Sequence, residues 1–324
     1  MIEIKTYSPD QKENWNTFVK TADNSNFLFD RNFMEYHSNR FTDCSVLVYD
    51  ENLLVGIFPA NKKDNVVYSH QGLTYGGLIL NERKNAKKLI SYFHSLFSHY
   101  KNIGAEEIIY KPVPNYISKT ENDFEHFILN ILNAQITKVD TSFTIDNKSE
   151  LKFQERRRRS IKKGEKNNTV VNSDNDFESF WNKILIPNLK EKFGSAPVHS
   201  LEEIKLLQSR FPDQIKQVNA YINNEIAAGV TLFDFGNTIH CQYISSSDFG
   251  KDSGAIDFLF NNLIHLYKPN KANFSLGTAN GNGNDINFGL ADWKEGLGAK
   301  LHAHFHYKFN TGNIKNLERF ISNG

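Results

Sequence analysis

Cysteine is nearly absent. The 324 residues hold two, Cys44 and Cys241. They lie far apart and have no partners at metal-ligand spacing, which excludes a disulfide framework and points to a reducing compartment. An excess of one charge is absent too: 38 Lys and Arg against 37 Asp and Glu leave a formal +1. That excludes a polyanion binder working through its whole surface and leaves room only for a local basic patch. No run approaches the roughly 18 apolar residues of a membrane helix, and Met1-Ile2-Glu3-Ile4-Lys5 has no apolar signal core. The expectation is a soluble, cytoplasmic protein with no membrane span.

What is present suits large cores: 39% hydrophobic residues, 13% aromatic, 26 of them Phe. The length allows two domains of ordinary size. Ile2 to Tyr7 reads as a strand, Pro9 to Ala22 and Phe29 to Arg40 as helices. Ser45 to Tyr49, the turn Asp50-Glu51-Asn52 and Leu53 to Pro59 read as a hairpin. Val66 to Ser69 and Glu106 to Tyr110 follow as strands, Arg83 to Lys101 and Asp123 to Leu132 as helices, and Ile136 to Ile145 as a strand. The second half repeats the order. Val218 to Ile222, Asn223-Asn224 and Ile226 to Phe233 form a hairpin that sets Gly229 where the first has Gly56. The strand Thr238 to Ser246 precedes a helix with apolar residues at Ile256, Leu259, Phe260, Leu263, Ile264 and Tyr267, and Asn273 to Gly277 is the next strand. The pattern predicts an α/β protein with mixed α+β sheets, in two copies of one unit, 1–148 and 149–324. The second copy opens with a basic helix.

That helix, within Glu150 to Lys166, carries Arg156-Arg157-Arg158-Arg159, with Leu151 and Ile161 as apolar anchors and Gly164 as its stop. A charge run of this kind is most often a solvated face. Arginine also matches phosphate oxygens two at a time, so a cationic wall for a nucleotide is the sharper reading.

Candidate site residues gather where strands meet turns. Between Ser246 and Ala255 the chain turns through Gly250, Lys251, Ser253 and Gly254 into the predicted helix. Unpaired amides at such a helix start suit a pyrophosphate, with Lys251 adding charge. The plainer reading is an ordinary helix start capped by Asp252 or Ser253. His70 and Tyr75 flank Gly72-Leu73-Thr74-Tyr75-Gly76-Gly77, where a His suits proton abstraction unless both residues merely pack. His199 precedes Ser200, which with Glu203 fits a capping box. By strict alternation His240, Gln242 and Ile244 share one strand face and Cys241, Tyr243 and Ser245 the other. Gln242 and Tyr243 are candidate acceptor contacts, and Cys241 a buried filler. His302, His304 and His306 alternate along the last strand, a spacing that three imidazoles can use for a metal. With no carboxylate or Cys cluster beside them in sequence, none is expected. In the polar loop Gly277 to Asp285, Asp285 either meets the acceptor or caps the helix carrying Asn287 to Glu295.

The order from Gln242 to Ala299, ending in Lys294-Glu295-Gly296-Leu297-Gly298, resembles the second half of a GNAT-type acyltransferase domain. With the Arg-rich helix and the segments Phe29 to Tyr36, His70 to Gly77 and Pro197 to Glu203, the whole chain resembles the FemAB-like, BioF2-like branch of that superfamily, which carries tandem units. The resemblance implies an N-acyltransferase acting on an amino-sugar or other glycan-precursor amine in bacterial surface-polysaccharide or cell-envelope assembly. Acetyl-CoA or another acyl-CoA would be co-substrate, with no metal and no DNA. Its pyrophosphate would sit on Ser246 and Gly250 to Ala255 of the second unit, while the first unit shapes the acceptor pocket. His70, His199 and Tyr243 would serve the chemistry; Tyr75, Gln242, Asp285 and Lys294 would bind the acceptor. Backbone amides near Ser245 to Ser247 would hold the oxyanion. Lys294 stands where GNAT enzymes often have Tyr, and suits a phosphate or carboxylate. Two alternatives remain: amino-acid transfer from aminoacyl-tRNA, with Arg156 to Arg159 on RNA, and a non-catalytic double unit that binds a nucleotide sugar.

Overall fold

The computed structural model describes residues 1–81, 85–120, 123–281 and 285–321. They form two compact units, Met1–Asp140 with His304–Gly324, and Thr141–Ala303.

In the first unit β1 (Ile2–Thr6) pairs antiparallel with β2 (Val46–Asp50), which turns into β3 (Leu53–Phe58). Glu51 and Asn52 have φ of 51° and 68°. Two consecutive left-handed residues make the type I′ turn, whose twist matches that of the paired strands. A short strand, Ile79–Leu80, extends this sheet on β3. A second set of strands holds β4 (Val66–Tyr68) parallel to β5 (Glu107–Tyr110), with the returning strand Lys300–Asn310 antiparallel on β5. Besides α1 (Lys12–Thr21), the unit has α2 (Ala86–Asn102) and α3 (Phe124–Ile131). Leu89, Ile90, Phe93, Leu96 and Phe97 of α2 are buried on one stripe and pack with Val46, Val48, Phe58 and Ile108.

The chain enters the second unit along β6 (Gln135–Asp146). There follow α4 (Glu155–Lys166), β7 (Val170–Asn172), a helical turn Phe177–Phe180, a π-helical turn Trp181–Leu185, α5 (Ile186–Phe193) and α6 (Leu201–Arg210). The hairpin β8 (Ile215–Ile222) and β9 (Glu225–Asp234) turns through Asn223 and Asn224 at φ 51° and 64°, the same primed turn as in the first unit. Next come β10 (Thr238–Ser246), a one-turn helix Asp248–Asp252, α7 (Ala255–Tyr267), β11 (Asn273–Thr278) and α8 (Phe288–Gly296). The strand order is β7-β8-β9-β10-β11-β6, with β10 and β11 the parallel pair. Phe143, Val218, Val230, Cys241, Leu259, Phe260, Phe274 and Leu297 lie in its core.

The α/β character, the paired hairpins and the mixed sheets match the sequence reading; other details do not. The division expected at 148/149 gives way to one in which the last strand and the helix Lys315–Ile321 belong to the first unit, because Phe309, Ile314 and Leu317 fill its core. The helix expected over Phe29 to Arg40 is broken. A turn of α-helix, Arg31–Met34, lies between 3-10 turns, with a kink at His37 (φ −126°). Arg83, the expected start of α2, lies outside the described residues; Asn85 caps that helix by accepting from the Lys88 amide.

Gly164 does not stop α4. It sits inside the helix, where a Cβ would come within 2.7 Å of Gly254 O and of Phe258 Cβ. A Cβ on Gly254 (φ +81°) would in turn lie 2.2 Å from Ser160 O. Helices α4 and α7 therefore cross backbone to backbone. Gly164→Leu must part them, and we expect it to cost about 3 kcal/mol of unfolding free energy, read from urea denaturation. Gly289→Ala, whose new Cβ meets nothing nearer than Asn287 Oδ1 at 3.5 Å, is the near-neutral control.

Candidate functional site

The second unit contains an opening in its own sheet. Strands β10 and β11 pair in parallel from Thr238↔Asn273 to His240↔Ser275 and no further. Gly277 turns β11 aside at φ +70°. From Gln242 to Ser246, β10 keeps β9 on one edge and, among the described residues, has no strand on the other. Asn188 Nδ2 donates to Ser246 O at 2.8 Å and to Ser245 Oγ at 2.7 Å, and the amides of that edge have no strand to pair with.

A β-bulge lies at the start of the gap. Thr231 faces Tyr243 while Leu232 faces Cys241, so Gln242 is an extra residue on β10. The bulge overturns the strict alternation read from sequence. Cys241 and Ile244, three apart, both pack on the apolar core, and Tyr243 is turned to the opposite face. There its hydroxyl accepts from the His199 backbone N–H at 3.1 Å and lies 2.6 Å from His199 Nδ1. The hydroxyl still carries its own proton, which it can give to Nδ1 when that nitrogen is unprotonated. Trp181, on the π-helical turn, fixes both partners: its indole N–H donates to His199 O at 3.2 Å and its ring meets Tyr243 edge-on at 5.2 Å. The Ser200–Glu203 capping box expected after His199 is present. His199 and Tyr243, 44 positions apart, are thus brought together, a pairing that no local spacing reveals.

Lys294 reaches the gap from α8. Its side chain is buried (2% exposed), donates to Thr278 O at the end of β11, and stands 5.9 Å over the Phe143 ring. Burial lowers its pKa from 10.5 to about 7, against a weak opposing pull from Cys241. His240 is pushed down to about 4 by burial and then by Lys294. Its ring stacks on Phe235, and Nδ1 lies 3.1 Å from Ser275 Oγ. Gln242 is half-buried at the bulge.

The glycine turn after β10 is packed rather than open. A Cβ on Gly250 would lie 2.0 Å from Ala227 O of β9, and Gly254 abuts α4. The amides of Gly250, Lys251, Ser253 and Gly254 donate to Ser247 Oγ, Ser247 O, Phe249 O and Lys251 O. Ser246 Oγ donates to Ala227 O and Ser253 Oγ to Gly250 O; Ala255 is fully buried. Lys251 pairs with Asp248 at 2.6 Å, which raises its pKa. The helix caps are Ser247 and Gly254, not Asp252 or Ser253. The glycines expected to admit a pyrophosphate instead admit β9 and α4.

The Arg cluster is divided by the same packing. Arg157 Nη1 meets both Asp257 oxygens at 2.9 and 3.0 Å, and Trp293 Nε1 donates to the same carboxylate at 2.9 Å. Arg156 donates to Asp292 O. Arg158, Arg159, Lys162, Lys163 and Lys166 are exposed.

In the first unit His70 is buried at φ +56°. Its Nδ1 accepts from the Gly72 amide at 3.2 Å, and burial, reinforced by His37, lowers its pKa to about 3. The proton-abstracting role expected of it does not fit an imidazole so weakly basic, whose Nδ1 lone pair is already taken by the Gly72 amide. Tyr75 is packed, 2% exposed, with its ring edge-on to Phe29. Asp285 is exposed and does not cap α8; Asn287 does, accepting from the Leu290 amide at 3.0 Å. Asn282, Gly283 and Asn284 of that loop lie outside the described residues. Cys44 and Cys241 are free and buried.

A parallel pair that parts after a short run, followed by a helix and a hairpin-led sheet, is the architecture of a GNAT-type unit, and the chain has the fold of tandem GNAT-like proteins. Among solved structures, FemX superposes with a TM-score of 0.68 at 12% identity, over 95% of this chain and 97% of that one. L-PGS from Bacillus licheniformis gives 0.57 at 11%, over 98% and 97%. A tandem GNAT protein from the clavulanic acid biosynthesis pathway gives 0.53 at 8%, over 96% and 99%. At such identities the likeness is one of fold. No family model matches the sequence, and no curated protein does. Among the described residues no helix is long and apolar enough to cross a membrane.

The Lys294 amine supplies a direct test of its burial. Between pH 7 and 10.5 the unfolded chain holds a proton that the folded chain has lost, so this residue makes folded stability rise with pH across that window. Against Lys294→Met, the wild type is penalised below pH 7, by an amount of the order of a few kcal/mol, and the penalty vanishes toward pH 10.5. Urea unfolding of both proteins across this range should trace that convergence; parallel curves would place the amine in water.

Proposed function

We propose that the second unit is an acyltransferase whose acyl group enters the gap between β10 and β11 and passes to an amine. The observation that carries this reading is the unpaired β10 edge beyond Gln242, with Lys294 near one face of the strand and the Tyr243–His199 pair on the other. Edge amides suit the oxyanion of the tetrahedral intermediate. The amine nitrogen bonds to the acyl carbon and the bond to the donor oxygen or sulfur breaks. The Tyr243 hydroxyl takes the amine proton as it gives its own to His199 Nδ1. Lys294, as the ammonium, protonates the leaving atom and is recharged by solvent; a pKa about 7 suits that exchange near neutrality.

For the donor, packing favours an aminoacyl ester of tRNA over acyl-CoA. The turn that would seat a CoA pyrophosphate is crowded by β9 at Gly250 and by α4 at Gly254, and the outer face of α4 offers Arg158, Arg159, Lys162, Lys163 and Lys166 to a phosphate backbone. Acetyl-CoA remains the second reading, supported by a gap that suits a thin acyl arm. For the acceptor, an amino-sugar or other glycan-precursor amine follows from the sequence resemblance.

Tyr243→Phe and His199→Asn should each lower kcat by about a hundredfold with KM nearly unchanged, in single-turnover transfer to an amino-sugar nucleotide from aminoacyl-tRNA or, in parallel, from acetyl-CoA. Reversing Arg159 and Lys162 to Glu should raise KM for the RNA donor and flatten its salt dependence. If acetyl-CoA alone is used and those reversals change nothing, the RNA reading fails. Nucleotide-sugar binding with no transfer from either donor would leave a binding module.

A further inference from the structure

The three histidines of the last strand gain, in the fold, a partner that sequence spacing did not supply. His304 and His306 stand two apart on one face of the strand Lys300–Asn310, ring centroids 5.1 Å apart. Asp140 joins them from β6, and one ligand atom from each residue lies within 4.8 Å of the others. Asp140 and His304 are buried, and His306 is partly so. We propose that Asp140, His304 and His306 bind one divalent transition-metal ion, with Zn²⁺ the best match to two imidazoles and a carboxylate. This site lies wholly in the first unit and is independent of the reading given for the second.

The imidazole roles are set by their partners. His304 Nε2 lies 2.8 Å from Pro112 O. A carbonyl only accepts, so Nε2 carries the proton and Nδ1 keeps its lone pair for a metal. Metal-ligating histidines are commonly oriented by such a bond to a backbone carbonyl. His306 Nε2 lies 2.7 Å from Asp140 Oδ2, joined by a hydrogen bond. The ion takes the place of the shared proton, and the imidazole shifts to its Nδ1–H tautomer, so no net proton is lost from a neutral ring. Ligand atoms around tetrahedral zinc stand about 3.3 Å apart, for bonds near 2.0 Å. Contraction from 4.8 Å is within reach of side-chain rotation. The remaining coordination position is left for water or a ligand atom.

Lys138 opposes the ion. Its ammonium is 2.6 Å from Asp140 Oδ1, and Lys111 also acts on the carboxylate. Removing the Lys138 charge should therefore strengthen binding, the reverse of what a hydrogen-bonded cluster with no metal would show.

The full-length protein, freed of metal with a chelator and dialysed, is titrated with Zn²⁺ by calorimetry and with Co²⁺ by visible absorption. One equivalent should bind with a tetrahedral cobalt spectrum. His304→Ala and His306→Gln should each weaken binding more than about tenfold, Lys138→Met should tighten it about tenfold, and His302→Ala should leave it unchanged. Circular dichroism checks that each variant is folded; should His304→Ala unfold, His306→Gln and Lys138→Met decide. Failure of the wild type to bind either ion, equal binding by folded His306→Gln, or no gain in Lys138→Met would each overturn the assignment.

Discussion

Much of the second unit rests on one close contact, where α4 crosses the start of α7 with Gly164 and Gly254 against one another. No side chain separates the helices there, so the axes approach as nearly as backbones allow. Two charged groups then become a lock. With α4 drawn in, Arg157 reaches Asp257 of α7 and Trp293 of α8 completes the carboxylate's bonds. Charge neutralised this way within the fold leaves only the outer arginines and lysines to solvent. The sequence run of four arginines is thus two different things, a clamp on one side and a cationic face on the other.

The same contact decides what the helix start can do. A glycine-bearing strand-to-helix turn is a ready anion site only while its amides are unspent and its approach is open. Here the amides of Gly250, Lys251, Ser253 and Gly254 are spent locally, β9 abuts Gly250 and α4 abuts Gly254. What stays open is the sheet itself, where β10 and β11 part beyond His240.

The fold was legible because its signals are local. Asn223-Asn224 tolerates left-handed backbone, the strands beside it alternate or run apolar, and the α2 and α7 stripes have helical spacing. The site was less legible because its determinants are long-range or break a local rule. One extra residue at Gln242 moved Tyr243 to the face opposite the core, and only then could it meet His199. Gly164 reads as a stop from its neighbours alone; its reason lies about ninety residues on, at Gly254. His70 reads as a base in a glycine-rich loop, yet the ring is buried and burial leaves it a weak proton acceptor. Asp140 gave no sign of belonging with His304 and His306, which lie on another strand.

Lys294 is the residue whose cost most needs an explanation. A Lys ammonium held this deep in the fold is destabilising until the amine gives up its proton, and its bond to Thr278 O does not require a charge. A methionine would fill the same volume without that penalty. Nor does Lys294 neutralise an acid: Cys241, the group that favours its charged form, is a buried thiol whose own pKa is driven up. A group held at the edge of ionisation, next to the unpaired edge of a strand, is poorly suited to support and well suited to exchange a proton. Residues that break the local rule without a structural return mark where a fold has been bent to a task, and in the second unit that residue stands at the gap.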